Sequence, residues 1–261
     1  LVGSAVVFEE ELDNQYQVFP HFGYNGMLDP FSSIGVSLYA NDGILSETPT
    51  SQLTLDQGFA NFSYARRIGE KSSLGGSILV AAQAFSTNYD GSSAPADSSF
   101  GYGLKLGWQG YLGGGVSLGA TWQPKIRMTD LEKYSVWLAD NGGLDIPSTY
   151  GAGLAWVFHG LALAADYQRI NYGEVDVLGT SGFGWTSVNV YKLGIQYAFE
   201  HFALRAGFSH GDNPVPMAAI DLNGAVPVMI QNHATAGFTA KLGESSEFNV
   251  ALIYGLDKTA E

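Results

Sequence analysis

The chain of 261 residues carries 12 Lys and Arg against 25 Asp and Glu, a formal net charge of −13, and contains 34 glycines but no cysteine. An acidic surface repels phosphate, so we expect no nucleic-acid partner, and without cysteine there is no disulfide or thiol chemistry. Only 14% of the residues are charged, yet no run of about 18 apolar residues could form a membrane helix. Apolar residues that alternate with small or polar ones, as in a membrane β-barrel, explain both facts.

Alternation with a period of two predicts twelve strands, each with one apolar face. In chain order, these faces span residues 16–24, 34–40, 60–64, 74–82, 100–108, 116–128, 150–158, 161–167, 191–199, 202–208, 234–242 and 248–254. A weaker thirteenth strand is predicted at residues 1–9. No composition shift marks a domain boundary, so we interpret residues 1–261 as a single domain.

The connections between these strands alternate in length. Short ones are predicted at residues 28–30, 67–72, 110–115, 159–160, 200–201 and 243–246, and long ones at 41–54, 86–98, 129–148, 173–186 and 211–232. Tight turns at one end and longer loops at the other are typical of a bacterial outer-membrane barrel, which has an even number of antiparallel strands. The predicted fold class is therefore an all-β transmembrane antiparallel β-barrel.

The sixth predicted strand continues to residue 128. Its alternation places Ile126 and Met128 on the apolar, lipid-facing side, and Lys125 and Arg127 on the inward side. Many glycines also fall on the inward face, where they leave room in the lumen.

The inward charges are few and mainly basic, and they allow two interpretations. Asp166, Lys192 or Gln196, and Arg205 lie at similar depths on successive strands and could form an ion-pair network. Alternatively, a cationic spot binds the anionic head group of a ligand. The candidates for head-group binding are Lys105, Lys125, Arg127 and Arg205, of which the first three share one hairpin that has no carboxylate of its own.

The loop after Met128 has the pattern of a short amphipathic helix at residues 129–140. Thr129 and Glu132 have capping-box spacing, and residues 141–143 provide a stop. Its apolar face consists of Leu131, Tyr134, Trp137 and Leu138. This face either packs on the barrel rim or forms an apolar groove where hydrophobic molecules land.

Enzyme and metal motifs are missing from the sequence. Ser209, His210 and Asp212 are adjacent in sequence and lie on alternating faces of a strand, so they cannot converge as a catalytic triad. The five histidines lack ligand spacing. We expect no catalysis, no cofactor and no bound metal.

The string FGYGLKLGWQGYLGGGVSLGATWQPKIRM, followed by DIPSTYGAGLAWVF, resembles the central hairpins of the FadL/TodX family of outer-membrane transporters. The later strings YKLGIQYAFEHFALRAGFSHGDNPVP and NHATAGFTAKLGESSEFNVALIYG are similar to later strands of that family. The resemblance extends from about residue 19 to the end of the chain.

This resemblance implies a barrel of about 14 strands, plugged by an N-terminal hatch, through which long-chain fatty acids or hydrocarbons pass without an energy source. In that family, ligands meet an apolar groove of extracellular loops, move to a lumen pocket and leave sideways at a kink in the third strand. Here the third strand would span residues 31–41. The lateral-opening candidates are Leu38, Tyr39, Ala40, Asn41 and Gly43.

Two departures accompany the resemblance. The hatch with its Asn-Pro-Ala signature is not recognisable, and the last residues, GLDKTAE, do not form an aromatic-ended closing strand. We therefore expect either a chain without both ends or a compact relative that is plugged and closed differently.

The functional hypothesis is passive transport of fatty acids or hydrocarbons across the bacterial outer membrane. The expected partners are outer-membrane lipid and a hydrophobic small molecule, for which detergent would substitute in crystals, and a monomer is expected. The alternatives are a water-filled general porin or a structural barrel, and a secreted soluble β protein.

Overall fold

A computed structural model of the protein describes residues 2–10, 15–48, 51–89, 92–219, 230–242 and 246–256. Most of these residues lie in β-strands. The strands are β1 (Val2–Glu10), β2 (Gln15–Asp29), β3 (Ser32–Thr48), β4 (Ser51–Ile68), β5 (Ser72–Tyr89), β6 (Ser92–Gly113), β7 (Val116–Gln123), β8 (Thr149–Phe158), β9 (Leu161–Ile170), β10 (Val188–Ala198), β11 (Phe202–Gly211), β12 (Asn232–Lys241) and β13 (Glu247–Leu256).

The strands form one antiparallel sheet in which each strand pairs with its neighbours in sequence, in the order β1 to β13. This up-and-down topology confirms the predicted β-barrel fold class, and β1 confirms the weaker strand predicted at the start of the chain. Four short 3-10 helices lie in the connections, at Glu132–Tyr134, Asp140–Gly142, Tyr172–Glu174 and Met217–Ala219. In the described part of the chain, no helix is long and apolar enough to cross a membrane.

The two faces of the sheet differ as the alternation predicts. In β8, for example, Tyr150, Leu154 and Trp156 are exposed, whereas the intervening Gly151 and Gly153 are half-buried. The other strands present a band of exposed apolar side chains on the same outer face. Members of this band are Phe62, Ile78, Val80, Leu104, Leu106, Leu193, Ile195, Leu204 and Phe238. Such a band is the surface that a barrel turns towards lipid.

Three of the five predicted long connections are confirmed as segments between strands, at residues 124–148, 171–187 and 212–231, although residues 220–229 lie outside the described residues. The other two predictions, at 41–54 and 86–98, are wrong. There β3 and β4 stay paired up to Thr48 and Ser51, and β5 and β6 up to Tyr89 and Ser92. Each of these two hairpins contains one β-bulge, at Ile44–Ser46 and at Phe85–Thr87, after which the pairing continues. The two hairpins therefore extend past the ends of the shorter strands.

The chain changes course after β7, and here the predicted orientation of Ile126 and Met128 is wrong. Pro124 lacks an N–H, so the regular ladder ends at Gln123. The continuation makes only isolated bridges, from Ile126 to Ile146 and from Met128 to Gly101. The strict alternation of β7 therefore does not extend past the proline.

Ile126 and Met128 pack instead against Leu79 and Ala81, which belong to the inner face of β5. The segment lies so close to β6 that a Cβ on Gly101 would be 2.6 Å from the carbonyl oxygen of Arg127. Gly101 is therefore required by a close approach of two backbones.

We expect the substitution Gly101→Ala to destabilise the barrel by about 1–3 kcal/mol, because the added methyl group collides with backbone that has no room to move. The matched control is Gly194→Ala on β10, where a Cβ has no neighbour within 4 Å. Thermal unfolding followed by circular dichroism in detergent measures both variants. Equal unfolding temperatures for the two would contradict the close packing of residues 126–128 on β6.

Candidate functional site

The lumen contains a cavity of about 620 Å³ along the inner face of β5 to β10. Five glycines contribute to its wall, and the register places Gly75 beside Gly107 and Gly119 beside Gly153. A Cβ on Gly107 or Gly119 would have no atom closer than 3.7 Å. The predicted role of inward glycines, to leave room in the lumen, is therefore seen in this cavity, which we call the lumen cavity.

Three charged side chains line the lumen cavity, namely Lys105, Asp166 and Lys192. The register places Lys192 directly across from Asp166, and its Nζ lies 3.4 Å from Oε1 of Gln168. Within the described residues, Lys105 has neither a hydrogen bond nor an ion pair. Of the head-group candidates, Lys105 is the one that lines the lumen cavity.

Lys125 has a carboxylate partner that the hairpin prediction missed. Its Nζ lies 3.2 Å from Oδ2 of Asp145 and 3.4 Å from the carbonyl oxygen of Glu174. Asp145 also accepts a hydrogen bond from the backbone N–H of Met128 at 2.8 Å. Lys125 therefore links the connection at residues 124–148 to the connection at residues 171–187. Arg127, two residues later, is exposed.

The ion-pair network predicted around Arg205 is wrong, because the hydrogen-bond partners of Arg205 are neutral. Arg205 donates from Nε to Oε1 of Gln196 at 2.7 Å and from Nη1 to the hydroxyl of Thr239, which in turn donates to Asn249. Throughout the described ranges, Lys125–Asp145 is the only ion pair within 4.0 Å. The network is made of neutral hydrogen-bonding partners, and it does not reach the lumen cavity.

The helix predicted at residues 129–140 is also wrong. Only Glu132–Tyr134 forms a turn of 3-10 helix, and no side chain caps it. Thr129, the predicted cap, accepts a hydrogen bond at Oγ1 from the backbone N–H of Phe100 at 3.0 Å. Thr129 therefore pairs with β6 and does not start a helix.

Of the four predicted groove residues, two are core residues. Leu131 and Tyr134 are 0% and 1% exposed. They pack in one cluster with Phe85, Leu144 and Val177, against which Leu138 is partly buried. The ring of Tyr134 meets Phe85 edge-on at 4.8 Å, and burial raises the pKa of its hydroxyl. We call this group of five buried residues the loop cluster.

The loop cluster joins segments that are far apart in the sequence. The sequence prediction missed Val177, which lies in a turn-rich connection without helical or strand periodicity. In the same connection as Leu131, Trp137 is 69% exposed and its neighbour Val136 is 91% exposed. Of the predicted landing surface, only Trp137 remains open to solvent.

The lateral-opening candidates lie where one ladder of the sheet ends. β2 and β3 are paired from Asp29–Ser32 up to Phe22–Leu38, and no further pair joins them in the described part of either strand. Both strands continue, β2 paired only with β1 and β3 only with β4. The wall is therefore divided between β2 and β3 beyond Leu38.

The predicted kink itself is wrong. Asn41 and Gly43 keep their pairing to β4, opposite Gln57 and Leu55, and the first irregularity of β3 lies at Ile44–Ser46. Tyr39 and Ala40 are paired to β4 in the same way. Cross-strand pairing thus overrides the turn-forming tendency of residues 41–43, and the division comes from the loss of the β2 partner.

The base of the last long connection is held by a carboxylate. The backbone N–H and the side-chain Nδ2 of Asn189 donate to Oδ2 of Asp212 at 2.9 and 2.8 Å. The backbone hydrogen bond, reinforced by that side chain, holds the pKa of Asp212 below its ordinary 3.8. Ser209, His210 and Asp212 do not form a relay, since His210 bonds to Asn232.

Several solved structures have a similar fold. The toluene transporter TodX of P. putida superposes with a TM-score of 0.72 at 17% identity, covering 92% of this chain and 76% of that one. The CymD monoaromatic hydrocarbon channel gives 0.70 at 18%, covering 97% and 80%. A Pseudomonas aeruginosa FadL homologue gives 0.73 at 14%, covering 91% and 69%.

No family model matches the sequence, and no curated protein matches it significantly. Two of these similar structures are described as a toluene transporter and a monoaromatic hydrocarbon channel. The chain therefore has the β-barrel fold of these transporters, and the resemblance to the FadL/TodX family is confirmed in the fold.

The contact between Asp212 and Asn189 should depend on pH. Because the folded-state pKa is lowered, the stabilisation is present at neutral pH and is lost as pH falls through that lowered value. We expect the Asn189 amide resonance to titrate with a midpoint below 3.8. Asp212→Asn should abolish the transition and Asp130→Asn, at an exposed loop position, should not. A midpoint above 3.8 would contradict the assigned hydrogen bonds.

Proposed function

We propose that this protein lies in the outer membrane of a bacterium and lets hydrophobic small molecules cross passively. The observation that carries the proposal is the combination of an apolar outer band with a lumen cavity whose lining includes five glycines and only three charged residues. The fold supports the same conclusion, since proteins described as a toluene transporter and a monoaromatic hydrocarbon channel have it.

The sparse charge of the cavity favours this function over a water-filled porin. A porin lumen is polar throughout, so that ions and water fill it. Of the residues that line the lumen cavity, Lys105, Asp166 and Lys192 are charged, and two of these face each other. A site with few charges, many small residues and an unpaired lysine at Lys105 suits an apolar molecule with an acidic head group.

The proposed route has three parts. The exposed Trp137 and Val136 offer an apolar landing surface beside the loop cluster. The lumen cavity then holds the molecule, with Lys105 as the partner of a carboxylate. The divided wall between β2 and β3 provides a lateral way into the lipid, so the molecule does not need to pass through water.

Uptake by cells tests the proposal. The chain is exported to the outer membrane of a Gram-negative host that lacks its own transporter of this kind, and entry of labelled dodecanoate is measured. We expect faster uptake than in the empty host, and a several-fold higher half-saturation concentration with Lys105→Gln, because a charge-assisted hydrogen bond is lost. Lys71→Gln, at an exposed turn, is the matched control.

Two outcomes of this experiment would count against the proposal. Uptake no faster than in the empty host would exclude transport of this ligand class. Rapid swelling of liposomes that contain the protein, in an isotonic sugar solution, would instead identify a water-filled porin.

A reversible crosslink tests the lateral route. The chain has no native cysteine, so the pair His21→Cys and Tyr39→Cys can bridge β2 and β3 just past their last ladder pair. We expect oxidation to reduce uptake and a reductant to restore it. The control pair Tyr24→Cys and Val36→Cys joins the same strands where they are already hydrogen-bonded. Equal uptake by the oxidised and reduced forms of the first pair would exclude this exit.

A further inference from the structure

The outer face of β8 to β11 carries an apolar groove of about 570 Å³. All the residues that line this groove are apolar or glycine. Ala165 makes the recess, since the register places its short side chain between the exposed Leu154 and Leu193. Trp156 and Phe208, which are also exposed, contribute large rings to the lining. The groove therefore lies on the lipid-facing side of the wall.

A polar cluster lies beyond one end of the groove, on the same face of the wall. Tyr167 and Arg169 follow Ala165 at intervals of two along β9, so all three side chains point outward. Arg169 is four residues from Ala165, a distance of about 13 Å along the strand, and the long connection at residues 171–187 begins soon after it. Because long connections are extracellular in barrels of this kind, the cluster lies at the extracellular boundary of the apolar band.

Amide groups, and no carboxylate, hold Arg169 in place. Its Nε donates to Oδ1 of Asn171 at 3.2 Å, and its Nη1 donates to Oδ1 of Asn189 at 2.9 Å. The hydroxyl of Tyr167 donates to the same oxygen of Asn189 at 2.9 Å. Asp212 binds the other end of that amide, the Nδ2 group, and no carboxylate of the described residues lies within 4.0 Å of the guanidinium. The half-buried guanidinium is therefore oriented, while its charge has no ion-pair partner.

The groove and the guanidinium together suit an amphiphilic molecule. A basic side chain at the membrane boundary attracts anionic lipid head groups, and a guanidinium binds phosphate oxygens through charge-assisted hydrogen bonds. An acyl chain in the groove would run along the strands below Arg169. A free anion would gain nothing from the groove, and a neutral hydrocarbon would gain nothing from Arg169. The combination therefore favours a lipid that carries both acyl chains and a phosphate.

We propose that this face of the barrel is a binding site for phosphorylated lipid A, with an acyl chain in the groove and a phosphate at Arg169. The extracellular position of Arg169 selects this lipid, because lipopolysaccharide forms the outer leaflet of a bacterial outer membrane and phospholipids lie in the periplasmic leaflet. The site is on the outside of the wall. It goes beyond the proposed transport function and does not depend on it.

Native mass spectrometry of the barrel purified in detergent tests the site. The probes are lipid A with its phosphates and the same lipid A without them, and the bound fraction gives each dissociation constant. We expect Arg169→Gln to raise the dissociation constant of phosphorylated lipid A several-fold, because a charge-assisted hydrogen bond is lost, and to leave that of the phosphate-free lipid unchanged. Ala165→Phe should weaken binding of both lipids several-fold, because the added ring fills the groove.

Two matched variants make the same changes elsewhere and should bind lipid A as wild type does. Lys133→Gln removes an exposed cation from the connection at residues 124–148. Ala60→Phe adds a ring to the outer face of β4, where its register partners Leu38 and Val80 are exposed. Heat-dependent mobility on gels confirms that each variant is a folded barrel.

Two results would overturn the proposal. The first is wild-type affinity for phosphorylated lipid A in the folded Arg169→Gln variant, which would show that the guanidinium does not bind the phosphate. The second is equal affinity of wild type for lipid A and for phosphatidylglycerol, which would remove the assignment to the outer-leaflet lipid.

Discussion

The backbone hydrogen-bond ladder is the constraint on which the rest of this structure depends. In the hydrocarbon interior of a membrane no water is available to a free N–H or C=O, so a spanning chain must satisfy these groups within itself. The antiparallel pairing from β1 to β13 does this strand by strand. Side chains are then free to alternate between lipid and lumen, and this accounts for a sequence that is apolar without any long apolar run.

Where a ladder stops, the course or the contacts of the chain change. Pro124 ends the pairing of β7, and the segment that follows packs on the inner face of the wall instead of continuing it. The pairing of β2 with β3 stops at Phe22–Leu38, and an aromatic contact replaces the backbone contact there. The lumen cavity, in contrast, lies along strands whose pairing is uninterrupted. Glycine at these positions leaves space for the cavity, and the backbone hydrogen bonds of the wall are kept.

The sequence predicts the strands well because alternation is a local signal that the membrane enforces at each position. For the same reason, it predicts the inward position of the glycines and of Lys105. It fails where a partner distant in sequence decides the outcome. Residues 41–43 have the composition of a turn, yet pairing with β4 keeps them extended. Thr129 has the spacing of a helix cap, yet Phe100 binds its hydroxyl.

The predictions for the candidate site succeed and fail for the same reason. The candidate cations could be identified one by one, but their partners could not, because Asp145 reaches Lys125 across a loop and Thr239 reaches Arg205 across a strand pair. Tyr39 could be singled out, whereas its stacking on His21 depends on where the ladder ends. Such a boundary is a property of two strands together, and neither strand's sequence specifies it alone.

The loop cluster has a consequence for how the protein assembles. Its buried residues Phe85, Leu131 and Val177 come from three separate connections or hairpins, and only the completed sheet brings them within reach of one another. Contacts between segments so distant in sequence form slowly, because long stretches of chain must first be ordered. We therefore expect the loop cluster to form late in folding, after the strands that carry its connections have paired.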